Sequence, residues 1–200
     1  EDYFAKAFGG AAAPMRELQA KFDANPPLRV FALLPMFRDV EAASAAADRD
    51  EVRRRVIDTM AYLHYVMLYR DYSLAASGGN DATYAALKPL MQYAWQTRLR
   101  GMVHYYALAR RLCNAKPLSD KRPEFHMYGH GEGDKKKPAV WQVGEELGDG
   151  EIVRRFRADI RRLEHEPDPY AAYSPHVEWV TLPEGEDGGP SRALHAEGEG

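Results

Sequence analysis

A chain of 200 residues with 27 basic and 30 acidic side chains carries a formal charge of −3, which argues against a general nucleic-acid binder. Apolar residues make up 45% of it, enough for a real core, so wholesale disorder is excluded. Its single cysteine, Cys113, rules out an internal disulfide framework or a cysteine-based zinc cluster, and no apolar run approaches the roughly 20 residues of a membrane helix.

The chain opens Glu1-Asp2-Tyr3, with no initiator Met and no apolar leader, and reads as a piece of a longer protein. Met15, Leu18 and Phe22 then recur at helical spacing and predict a first helix over residues 11–23, stopped by Asn25-Pro26-Pro27. Residues 28–34 are apolar and end at Pro35; at that length the pattern fits a short strand as well as a buried connector. An alanine-rich helix over 36–47 follows.

The strongest segment starts at Asp48. Asp48 with Glu51 reads as a capping pair, and no Gly or Pro interrupts the chain until Gly78-Gly79. About 28 helical residues make a rod on the order of 42 Å long. Val52, Val56, Met60, Leu63, Met67 and Leu74 form one apolar stripe, and Tyr62, Tyr65, Tyr69 and Tyr72 form a second, rotated round the axis. Two faces suited to burial are what a central helix of a bundle needs.

A further helix is predicted over 81–112, capped by Asn80 or Asp81, with Tyr84, Leu87, Met91, Trp95, Met102, Tyr105, Ala109 and Leu112 on one face. Pro89 either begins its regular part or kinks it. The Gly-Gly-Asn link makes the two long helices an antiparallel hairpin. Prolines and glycines make 114–148 an irregular loop, after which Asp149 caps a helix to His165 with Ile152, Phe156, Ile160 and Leu163 on its apolar face. Residues 177–182 alternate as one strand would, and 183–200 are Gly- and Glu-rich and read as disordered. The expected fold class is therefore mainly α: an antiparallel helical bundle over 1–166 and a linker or tail over 167–200.

Four constellations carry chemistry. His126 and His130, with Glu132 and Asp134, are ligand types for a divalent cation, yet three intervening glycines deny them a helical face; a polar loop without metal is the preferred reading, and no cofactor is expected. Lys135-Lys136-Lys137 sits among enough carboxylates to cancel most of its field. The tyrosine face, with His64, Tyr65, Tyr69, Arg70, Asp71, His104, Tyr105 and Tyr106, is the kind of aromatic surface that grips a sugar ring, although such a stripe is more often core; Arg70 with Asp71 reads as a local ion pair. Glu145-Glu146, Asp39 with Glu41, and Asp71 are the carboxylates available for glycoside cleavage, but none lies in a motif that predicts a cleft. Cys113, at a helix end among apolar neighbours, reads as inert.

Three stretches together resemble a known family. Residues 3–17 (Tyr3-Phe4-Ala5-Lys6-Ala7-Phe8-Gly9-Gly10 onward), Arg55-Val56-Ile57 with residues 62–69, and Pro138-Ala139-Val140-Trp141 resemble the region that follows the catalytic barrel in bacterial glycoside-hydrolase-like proteins. The family is the domain of unknown function 4838, similar in layout to alpha-glucuronidases, and the resemblance covers residues 1–166. It implies a helical domain that packs on a (β/α)8 barrel absent from this chain, in a secreted or periplasmic carbohydrate-active parent. The expectation is a non-catalytic accessory domain whose partner is that barrel, with His64, Tyr65, Tyr69, Arg70, His104 and Tyr105 as candidates to edge its cleft. A carbohydrate-binding module on the tyrosine face and a protein-interaction or dimerisation bundle are the alternatives.

Overall fold

A computed structural model describes residues 2–113 and 139–167. Within them the protein is helical, with no strand. Helix α1 (Tyr3–Phe8) is capped by the Asp2 carboxylate, which accepts from the Phe4 N–H at 3.0 Å. A 3-10 turn (Gly9–Ala11) leads into α2 (Ala12–Asp23), and Asn25, with φ of 47°, turns the chain towards α3 (Val30–Ala46). Helix α4 (Asp50–Ala75) is the long central rod, about 39 Å for its 26 residues. Then come α5 (Asn80–Gln96), α6 (Tyr105–Cys113) and, after the non-helical residues 139–148, α7 (Asp149–His165).

One face of α4 is buried and the other, the tyrosine face, is half-buried. Val52, Val56, Met60, Leu63 and Met67 join a core with α2, α3 and α7, where Phe37 and Phe156 stack with ring centroids 5.1 Å apart. On the other side Tyr65, Leu68, Tyr69 and Tyr72 pack on a second core, built from Leu87, Leu90 and Met91 of α5, Leu108 and Leu112 of α6, and Trp141. The antiparallel hairpin of α4 and α5 is present: Tyr93 Oη donates to the Ala61 carbonyl at 3.0 Å, and Thr83 Oγ1 lies 3.4 Å from that of Ala75. Helix α7 lies alongside α4 in parallel and against α3. Leu74, expected in the apolar stripe, is 49% exposed, because the stripe leaves the core after Met67.

Several boundaries differ from expectation. Residues 3–8, given no element by the sequence pattern, form α1. Residues 28–34 are neither strand nor connector: α3 begins at Val30 and runs through Pro35. A proline interrupts a helix by the hydrogen bond it cannot make and the clash of its ring, yet its φ is already helical. Here Val30, Leu33, Met36, Phe37 and Val40 are all buried on one side, and that burial offsets the local cost.

The predicted helix over 81–112 is two helices. Thr97 leaves helical geometry at φ −116°, its hydroxyl turned back to the Tyr93 carbonyl at 2.9 Å, and Gly101 adopts φ of 72°, a left-handed conformation that glycine takes without steric cost. Met102, expected in the buried stripe, is consequently 41% exposed.

No predicted cap functions as one. Arg49, Gly79 and Gly148 occupy the cap positions, without side-chain capping bonds. Asp48 lies over the Gly9-Gly10 turn beside Arg49, and Asp149 is the first helical residue of α7, engaged by Arg100. The 177–182 strand and the acidic tail lie outside the described residues. Among the described residues no helix is long and apolar enough to cross a membrane.

Candidate functional site

Tyrosines at 62, 65, 69 and 72 must share a side of α4, because steps of three and four residues bring side chains back over one another. Their rings form a ladder with centroids 5.9, 6.1 and 6.0 Å apart. Each is half-buried, and burial pushes the Tyr65 hydroxyl up to about 12. Tyr62 also meets Phe22 edge-on at 5.7 Å. The ladder is the outer margin of the α4 seam, with one edge of each ring inside the fold.

His64 points the other way, towards α7, and is 8% exposed. Its Nδ1 lies 2.6 Å from Asp159 Oδ2, its ring meets Tyr93 edge-on at 4.6 Å, and Nε2 is buried without a hydrogen-bond partner among the described residues. Burial pushes the Asp159 carboxyl above the usual aspartate range, a shift that the His64 hydrogen bond opposes. Desolvation likewise raises the Tyr93 phenol, which donates to the Ala61 carbonyl.

Arg70 does not pair with Asp71. Its guanidinium grips the Glu166 carboxylate with both terminal nitrogens while Nε donates to the Leu28 carbonyl at 3.0 Å, and only 5% of the residue is exposed. Asp71, one position further round the helix, takes two hydrogen bonds from Arg162, at 2.6 and 2.7 Å. Neighbours in sequence face about 100° apart on a helix, so each reaches a different part of α7 and its exit. Contact with Arg70 holds the Glu166 carboxyl below its ordinary range.

His104 and Tyr105 sit at the start of α6. His104 is exposed, and its Nδ1 accepts from the Ala107 N–H at 3.1 Å, serving as an N-terminal cap. Tyr105 is buried with its hydroxyl accepting from the Trp141 indole N–H at 2.7 Å, and Tyr106 is 47% exposed beside them. The six candidates therefore divide among the α4–α7 seam, the α4–α5 face and the start of α6. Hollows of about 450 Å³ between α1, α2 and α4, and of about 320 and 220 Å³ along α3 and α7, contain none of them.

The carboxylates fare similarly. Asp39 takes a hydrogen bond from Lys21 at 2.8 Å and Glu41 one from Arg38 at 2.5 Å. Glu145 and Glu146 are exposed on the approach to α7. His126, His130 and the lysine run lie outside the described residues. Among the described residues no three His, Cys, Asp or Glu side chains cluster as a metal site would need.

The sequence reading missed Asp159, Tyr93, Arg100, Trp141 and Glu166. Asp159 carried a signal: it falls on the apolar face of α7, between Phe156 and Leu163, where an acid requires a partner. Arg100 carried none. Only in three dimensions does it bridge Asp58 of α4 at 2.8 Å, Asp149 of α7 at 2.6 Å and the Leu147 carbonyl at 3.1 Å.

No family model matches the chain, and no curated protein or solved structure is significantly similar to it.

Proposed function

We propose that this chain is a non-catalytic helical domain that supports a neighbouring catalytic domain of the same polypeptide. The observation that carries the reading is the employment of its reactive side chains. His64 with Asp159, Arg70 with Glu166, Asp71 with Arg162, and Arg100 with Asp58 and Asp149 all clamp one helix or its approach to another. A catalytic acid or base needs an open path to substrate and a pKa matched to its task; these groups are spent on seams instead. Helix α4 packs on a core at each of its two faces, as the central rod of a buttress would.

The neighbour is a (β/α)8 barrel of a secreted or periplasmic carbohydrate-active protein. Support for this part comes from the three stretches quoted from residues 3–17, 55–69 and 138–141. Incubation of the chain with aryl glycosides and uronic-acid oligosaccharides tests the whole reading: no turnover is expected, and turnover abolished by a single carboxylate substitution overturns it. Calorimetry with the same oligosaccharides tests the tyrosine ladder. Saturable binding lost in Tyr69→Ala at unchanged helicity would make the chain a carbohydrate-binding module.

A further inference from the structure

Helix α7 carries five arginines, and the fold employs them unequally. Arg154 and Arg155 pair with Glu151, and Arg162 pairs with Asp71. Arg157 and Arg161, four residues apart and so on one side of the helix, are exposed and form no ion pair among the described residues. The carboxylates that line the same hollow, Glu41 and Glu164, are both engaged by Arg38.

Two hollows follow the seam of α3 and α7 and have Glu41 and Arg157 in common. The larger, about 320 Å³, has an apolar floor of Ala45, Met60, Val153 and Phe156, of which Met60 and Phe156 are nearly fully buried. Arg161 lines the smaller, about 220 Å³. The seam therefore combines room for one large apolar side chain with two uncompensated cations beside it.

A segment of complementary chemistry lies in the chain itself. Residues 168–187 carry five carboxylates and no lysine or arginine, and in them Val177-Glu178-Trp179-Val180-Thr181-Leu182 is followed by Glu184, Glu186 and Asp187. The chain leaves α7, one wall of the seam, at His165. From there back to Val153 is about 18 Å of helix, and residues 168–176 extend to about 30 Å. The segment is thus long enough to double back over the seam. Exposed ion pairs are weak in isolation, but burial of an indole adds a large apolar contact, and a tethered segment meets its site at high effective concentration.

We propose that residues 177–187 dock on the seam of α3 and α7, with Trp179 in the hollow over Met60 and Phe156 and the carboxylates of Glu184, Glu186 and Asp187 against Arg157 and Arg161. The proposal is independent of the supporting-domain reading, since both the site and its occupant belong to this chain.

Hydrogen exchange on the full chain, against a synthetic peptide of residues 168–187, tests it. Amides of residues 177–182 are expected to exchange at least about tenfold more slowly in the chain than in the peptide. Arg157→Glu with Arg161→Glu, both exposed positions, is expected to remove that protection while the far-ultraviolet spectrum stays helical. Adding Glu184→Lys, Glu186→Lys and Asp187→Lys to that variant is expected to restore it. Equal exchange in chain and peptide overturns the proposal, as does protection that survives the arginine reversal or a loss that the exchange of charges does not rescue. Protection that grows with chain concentration, with a dimer in sedimentation, assigns the seam to the segment of a second copy and also overturns it.

Discussion

Nδ1 of His64 and Oδ2 of Asp159 lie 2.6 Å apart although 95 positions separate the residues, and each side chain is at most 10% exposed. The contact joins the middle of α4 to the buried face of α7, and the two halves of the pair are unequal. Truncating His64 leaves a carboxyl buried without its hydrogen-bond partner, whereas truncating Asp159 leaves only the imidazole Nδ1 without one. His64→Leu is therefore expected to cost about 3 kcal/mol or more at neutral pH, and Asp159→Leu about 1–3 kcal/mol, measured by urea denaturation. The ordering is the test.

The same pair carries a pH dependence. Burial raises the folded-state pKa of Asp159 above its unfolded value, so the fold binds this proton more tightly than the unfolded chain. Its contribution is fully present below the unfolded value and is lost as pH rises through the folded one. In His64→Leu, where the opposing hydrogen bond is gone, the deficit is expected to shrink as pH falls from 7 towards 4. A deficit that grows on acidification would place the buried acid elsewhere.

Glu151 shows the opposite sign. Hydrogen bonds from the Arg154 and Arg155 guanidiniums, at 2.6 and 2.7 Å, hold its carboxyl down to about 2. What it contributes is present above the ordinary glutamate pKa and disappears as pH falls towards 2. Carboxyl-carbon NMR is expected to give a Glu151 midpoint near 2 that rises in Arg154→Gln. Because the group sits at the surface, the melting temperature at pH 7 is expected to change little.

Trp141 is wholly buried, with its indole N–H on Tyr105, and it anchors the non-helical approach to α7 in the core of α5 and α6. Trp141→Ala is expected to cost about 3–5 kcal/mol. Trp141→Phe keeps most of the volume and gives up the hydrogen bond, and about 1 kcal/mol is expected from that loss. Equal losses in chemical denaturation would mean that the side chain is not packed as described.

Gly10 meets the end of α3. A Cβ there would stand 2.7 Å from the Ala46 carbonyl oxygen, a backbone atom with little freedom to retreat. Gly10→Ala is expected to cost about 1–3 kcal/mol by forcing the 3-10 turn away from α3. Gly148→Ala, where a Cβ meets nothing within 4 Å, is the control and is expected to be close to neutral.

The elements legible beforehand were those whose own side chains repeat. The stripe from Val52 to Met67, the tyrosines rotated from it, and the face of Ile152, Phe156, Ile160 and Leu163 were all assigned from spacing. Their burial confirms the assignment, because a helix with an apolar face is stable only when that face is covered. The C-terminal end of α7 at His165 was also correct, while its start fell one residue early, at Asp149 itself with Gly148 in the cap position.

Spacing failed where it continued across a break. Trp95, Met102 and Tyr105 keep helical intervals, and that rhythm hid the end of α5 at Thr97 and the left-handed Gly101 that follows it. Pro35 misled in the other direction: a reliable stop signal in isolation, it is tolerated where residues on either side are drawn into one core. Asp48, Asn80 and Asp149 had the chemistry of caps, but a cap competes with every other partner in reach. Arg100 engages Asp149 from a turn that local pattern gave no reason to place there.

Composition and periodicity thus established a helical class, the hairpin of α4 and α5 and the residues that share each face, since those depend on neighbours three or four positions away. The pairings of His64 with Asp159, Arg70 with Glu166 and Asp71 with Arg162 arise only when α7 is laid beside α4, across 91 to 96 positions of chain. No local rule reaches that far. The energy of such a pairing depends on which faces meet and on how much water they exclude, and both are properties of the assembled bundle.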